Sequence, residues 1–189
     1  MPVNSNVIRA MPRPGNLRSR GVDAADVLND FLGDFVTGVM VFREYSAHLQ
    51  QGKLLLMQMV PIQKMCISNI VLAFAKFEEF WQHYSDVVPE QHRDACKQVL
   101  RQIRERKITD FRNHCVGHIW NKQQRRPLAH SEVIVALDLM VRQDFPSFLK
   151  WVNDPAGNFY PSTVVSVIET VRDAICEHHQ IKPEELVGR

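Results

Sequence analysis

The chain has 189 residues, 45% of them hydrophobic and 23% charged, with a formal net charge of +2. That length supports one well-filled core and is short for two domains of ordinary size. The composition is that of a globular protein and excludes a disordered or fibrous one. So small a net charge leaves any contact with nucleic acid to a local patch.

Four cysteines, Cys66, Cys96, Cys115 and Cys176, lie far apart and form no C-x-x-C pair. Reduced thiols in a cytoplasmic protein are expected, with no disulfide framework. No uninterrupted apolar run approaches the roughly 20 residues of a membrane span. The first twenty residues carry Arg9, Arg13, Arg18 and Arg20 with no secretory core. A soluble protein without membrane contact is expected.

Residues 1–21 hold Pro2, Pro12, Pro14, Gly15 and Gly21 and little periodicity, which predicts a flexible basic arm. From Asp23 to Gln50, Val27, Leu28, Phe31, Leu32, Phe35, Val39 and Phe42 recur at helical steps and predict a long amphipathic helix. Gly33 and Gly38 weaken it slightly. A second helix is predicted over Leu54–Tyr84, interrupted or kinked at Pro61, with Ile67, Ile70, Val71, Phe74, Phe77 and Trp81 on its apolar face.

Pro89 suits the first turn of a third helix running toward Trp120. This is the most basic segment, carrying Arg93, Lys97, Arg101, Arg104, Arg106, Lys107 and Arg112, and its charge reads as a solvated face or a phosphate-facing surface. Leu100, Ile103, Ile108 and Phe111 supply its buried positions. Asn121–His130 reads as a polar loop, and Ser131 as the cap of a fourth helix that Pro146 kinks or restarts. After the turn Asn153–Asn158, a last helix is predicted over Ser162–His179. No stretch alternates convincingly at period two. The expected fold is all-α, an up-and-down bundle of about five helices over residues 22–180, with a short polar tail at 181–189.

One segment stands out for chemistry. In Asp110-Phe111-Arg112-Asn113-His114-Cys115-Val116-Gly117-His118, an arginine is followed at once by asparagine and six residues later by histidine. Arginine offers phosphate a fixed fork of donors. Histidine exchanges a proton near neutral pH, and an asparagine amide can orient either group. On an ideal α-helix, Arg112 and His118 do not share one face, so a second copy across a two-fold axis would bring two sets together.

Other readings use the same residues. Arg112 can pair with a surface acid while His118 packs inside. Asp110, His114 and His118, four residues apart, share a face and can hold a transition metal, although no second helix carries a matching ligand set. Cys115 lies among basic neighbours that would lower a thiol pKa, yet a small core role is the commoner one.

An arginine, a polar residue and then a histidine, within a small helical domain, resemble the R-x(4–6)-H signature of the HEPN superfamily. Arg112 matches the arginine, Asn113 the polar residue and His118 the histidine, and the segment is similar to the abortive-infection-related branch. The resemblance covers this motif and the helix order from about residue 23 to 179. It implies a four- or five-helix bundle, often a two-fold homodimer, and in many members a metal-independent ribonuclease of toxin–antitoxin or phage-defence type. One major toxin subgroup carries a tyrosine two residues after the histidine, where an antitoxin attaches nucleotides; here the position is Trp120.

The expectation is an endoribonuclease acting on RNA in a dimeric cleft. Arg112 would stabilise the phosphate, His118 would act as acid or base, Asn113 would hold them in register and His114 would assist. No metal or cofactor is called for, and an antitoxin protein is the expected partner of such a toxin. The alternative is a non-catalytic helical dimer that binds a nucleotide or a partner protein.

Overall fold

The computed structural model describes residues 17–116, 120, 121 and 125–186, with only the backbone given at 120 and 121. The fold is an all-α bundle. Seven α-helices are present among the described residues: α1 (Leu17–Gln50), α2 (Leu56–Tyr84), α3 (Glu90–Glu105), α4 (Ile108–Phe111), α5 (His130–Val141), α6 (Phe145–Val152) and α7 (Val164–His179). The count exceeds five because the third and fourth predicted helices each divide in two.

The long helix α1 packs on both α2 and α7. Leu28, Phe31, Phe35 and Val39 are buried along one stripe, as their spacing requires. Against α2 the approach is close at Gly38, where a β-carbon would sit 2.8 Å from Ile70 Cγ1. A glycine that weakens the isolated helix therefore permits the helix pair. Phe35 meets Phe74 at 4.7 Å between ring centroids, and Phe74 stacks on Trp151 of α6 at 5.2 Å.

Helix α1 is already formed at Leu17, ahead of the Asp23 suggested by periodicity. Arg18 and Arg20, expected within a flexible arm, are helical and engaged. Arg18 pairs with Glu185 at 2.8 Å, and Arg20 binds Asp86 and the His83 carbonyl, each at 2.7 Å. These partners lie far along the chain, so local patterning cannot reveal them. The C-terminal segment likewise packs: Ile181 is buried and a 3₁₀ turn spans Pro183–Glu185.

Helix α2 continues through Pro61, which stands near its first turns and removes one ladder donor. The predicted third helix, by contrast, breaks at Lys107, which adopts a left-handed conformation with φ 54°. The short α4 begins directly after it and is followed by a π-helical turn at Arg112–Val116. Trp120–Asn121 (β1) and Arg126–Pro127 (β2) then form a small antiparallel ladder, with Trp120 opposite Pro127 and Asn121 opposite Arg126. Strands of two residues are too short to show alternation in sequence.

The remaining helices start on definite caps. For α5 the cap position is Ala129, not Ser131; the Glu132 carboxylate accepts from the Ala129 N–H at 2.7 Å. Asp144 accepts from the Ser147 N–H at 3.0 Å, so α6 restarts with Pro146 in its first turn. Thr163 caps α7 by accepting from the Ser166 N–H at 3.1 Å. Helices α5 and α7 end in left-handed residues, Arg142 (φ 56°) and Gln180 (φ 53°).

Candidate functional site

The buried side chains of Ile108 and Phe111 anchor α4 in the core. Thr109 Oγ1 donates to Glu78 Oε2 of α2 at 2.5 Å, and Arg104 Nε lies 3.8 Å from Glu78 Oε1. With Phe111 inward, Arg112, Asn113 and His114 face solvent on the π-helical turn. Such turns widen the helix and are frequent at functional sites. The expectation that Arg112 and His118 do not share one face rests on ideal α geometry, which Arg112–Val116 does not have.

Arg112 Nη1 donates to Asn113 Oδ1 at 2.9 Å. Among the described residues its guanidinium forms no ion pair, so the surface-acid reading of Arg112 is not what the fold shows. His114 Nδ1 lies 2.7 Å from the Asp110 carbonyl oxygen. A carbonyl only accepts, so Nδ1 carries the proton of this bond. In the neutral imidazole, Nε2 is then the basic nitrogen. One exposed turn thus holds an arginine oriented by an amide and a histidine fixed in tautomer. Gly117 and His118 lie outside the described residues.

Cys115 is half-buried, and burial pushes its thiol pKa up, with the Glu132 carboxylate pushing the same way. The surroundings therefore oppose the thiolate, contrary to what the basic neighbours in sequence suggested. The metal reading needs His118. Among the described residues no three His, Cys, Asp or Glu side chains converge as a metal site. His130 is exposed, and His179 packs its ring where a β-carbon on Gly21 would meet it at 2.8 Å.

The basic run divides. Arg106 is half-buried, its guanidinium 4.9 Å above the Trp151 ring and 5.6 Å from that of Phe148, and it donates to the Met140 carbonyl at 3.2 Å. Burial lowers its pKa first, and Arg142 adds to that while Glu105 opposes it. Arg93 donates to the Val88 and Asp86 carbonyls at 2.9 and 3.3 Å, and Lys97 pairs with Asp94 at 3.0 Å. Arg101, Lys107 and Arg112 remain exposed. No local pattern marks Arg106 in the sequence, because its aromatic partners come from a helix more than forty residues later.

A cleft of about 450 Å³ is lined by Gln98, Gln102, Trp151 and Thr163 among others, and a groove of about 420 Å³ lies between α1 and α2. Neither contains Arg112, Asn113 or His114.

No protein-family model matches the chain, and no curated protein matches it. Among solved structures it is similar to the integron cassette protein Vpc_cass2 from the mobile metagenome of V. paracholerae, with a TM-score of 0.68 and 23% identity. The likeness covers 83% of this chain and 96% of that one, and it concerns the fold.

Proposed function

We propose that this chain is a metal-independent endoribonuclease of the HEPN kind, with a role in toxin or phage-defence systems. The carrying observation is the exposed turn on which Arg112 has, among the described residues, an asparagine but no acid as its partner, beside a His114 whose Nε2 is left basic. RNA cleavage of this type needs a base to take the 2′-hydroxyl proton and an acid to protonate the departing 5′-oxygen. The 2′-oxygen bonds to phosphorus as the 5′-oxygen leaves, giving a 2′,3′-cyclic phosphate. In this reading His118 supplies one of these proton transfers and His114 assists. Arg112 stabilises the extra charge on the five-coordinate phosphorus. The sequence reading places two copies around one cleft; a single turn already offers an arginine and an imidazole.

Purified full-length chain should cut single-stranded RNA in excess chelator and leave cyclic phosphate ends. Arg112→Ala and His118→Ala should each slow cleavage at least about 100-fold, and His114→Ala about 10-fold, without loss of helicity. Cleavage by His118→Ala at the parent rate would sink the mechanism.

The second reading, a non-catalytic helical dimer that binds a nucleotide or a partner protein, is favoured by the clefts, which are lined by residues other than the motif. Saturable nucleotide binding without RNA turnover would select it.

A further inference from the structure

Helix α2 is apolar on two opposite sides. Its inner side buries Met59, Cys66, Ile70 and Phe77. At 100° per residue, Met57, Val60, Pro61, Met65, Ser68 and Leu72 fall within an arc of about 140° on the other side. Five of these six are exposed, Met57 at 75% and Met65 at 61%. Leu55 and Leu56 extend the patch at the tip of the α1–α2 hairpin, at 62% and 67% exposure. A helix apolar on both sides is ordinarily covered on both.

We propose that a second copy of this chain covers the face, α2 packing antiparallel on α2 across a two-fold axis. Four observations select this occupant. Leu55, Leu56, Met57, Val60, Met65 and Leu72 each offer on the order of 100 Å² of apolar surface, about 600 Å² together. That is the upper end of the largest patch a monomer usually exposes, a size that is often functional, and most of the ~800 Å² per partner in a standard interface. Between Leu54 and Ala75 the sole charged residue is Lys64, which is exposed within the same arc; an axis at residues 64 and 65 sets each Lys64 beside Met65 of the other copy, so the face carries one charge per copy and no row of them. The stripe is also nearly symmetric about residues 64 and 65: an axis there sets Met57 opposite Leu72 of the second copy, and Pro61 opposite its Ser68. Leu72 borders the α1–α2 groove, whose other walls include Gly38 and Val41. Each copy thus offers a protruding Met57 to the groove of the other, and the two hairpins make a four-helix bundle.

A lipid fits less well. Among the described residues α2 is the helix long and apolar enough to cross a membrane, but its inner side is occupied by the protein's own core. No Trp or Tyr lies between Tyr45 and Trp81 to anchor an interface, and Lys64 stands in the middle of the exposed face where acyl chains would have to meet its charge.

The interface stands apart from the ribonuclease reading and changes one part of it. Thr109 docks at Glu78, about 20 Å along α2 from the axis at 1.5 Å per residue. The two motif turns would lie on the order of 40 Å apart, each acting alone and not across one cleft.

Sedimentation and light scattering on the full chain test the proposal. The parent should be a dimer. Met57→Asp and Met65→Asp, both at exposed positions, should each weaken it about 100-fold or more, because symmetry counts every substitution twice. Leu139→Asp, exposed on α5, should leave the dimer intact, and circular dichroism should show all three folded. Met65→Cys should form a disulfide-linked dimer on mild oxidation. A monomeric parent, a dimer indifferent to Met57→Asp and Met65→Asp, or a monomer that floats with phosphatidylcholine vesicles and loses them on Met57→Asp would overturn the proposal. RNA cleavage by the monomeric Met57→Asp chain reads the motif separately.

Discussion

Arg106 and Arg112 belong to one basic run in the sequence, and the fold puts them to different uses. Arg106 closes α3 over the Trp151 and Phe148 rings and donates to the Met140 carbonyl. Arg112 opens the π-helical turn in solvent, touching Asn113. The difference comes from what lies across from each: α6 and the end of α5 reach Arg106, whereas nothing acidic among the described residues reaches Arg112. A run of cations in a sequence is therefore a list of candidates, and distant packing decides which remain available to a ligand.

The contrast can be broken most directly at its buried end. Arg106→Ala removes two cation–π contacts and a hydrogen bond and should cost about 2–3 kcal/mol of stability, whereas Arg112→Ala should cost less than about 0.5 kcal/mol. Denaturant melts of the two variants measure this, and equal losses would erase the distinction. A smaller effect is expected from Glu78→Ala, which leaves Thr109 without its acceptor and should cost about 1 kcal/mol. Hydrogen exchange should then quicken at residues 108–114 ahead of α1; uniform quickening would mean that Glu78 does not tether the turn.

The smallest effect is the response to acid. The Lys182 N–H and Arg18 hold the Glu185 carboxyl below its ordinary range, and hydrogen bonds from Ser147 do the same for Asp144. Both titrate at ordinary values when unfolded, so their contribution is complete above the unfolded pKa and drains away as pH falls through the lowered folded values. Acid should loosen the Arg18–Glu185 clasp between α1 and the C-terminal segment. Glu185→Gln should flatten that part of the pH–stability curve, and an unchanged curve would count against the clasp.

Much of the bundle was legible because its signals are local and periodic. Leu28, Phe31, Phe35 and Val39 mark the stripe of α1, and Val164, Ile168, Val171 and Ile175 that of α7; all eight are buried. The break at Lys107 was not legible, since neither glycine nor proline marks it. Nor was the π-helical turn, whose hydrogen-bond shift leaves no pattern in five residues. The long start of α1 depends on ion pairs to residues far along the chain. At the candidate site, Arg112 and Asn113 stand out by residue type, by spacing and by the resemblance to the R-x(4–6)-H signature, and His114 by residue type. The tautomer of His114 required the Asp110 carbonyl, which only coordinates provide.

Lys107, Arg142 and Gln180 hold the left-handed conformation that glycine adopts without steric cost, and two of them close α5 and α7. A β-carbon in that region is disfavoured by about 1 kcal/mol or more, part of which glycine's larger unfolded-state entropy would return. The fold thus carries thermodynamic headroom at its helix ends, reachable by single substitutions that leave Arg112 and His114 unaltered. A lineage of this bundle can accumulate destabilising changes on the π-helical turn, and so vary its chemistry, while recovering stability at stops elsewhere in the chain.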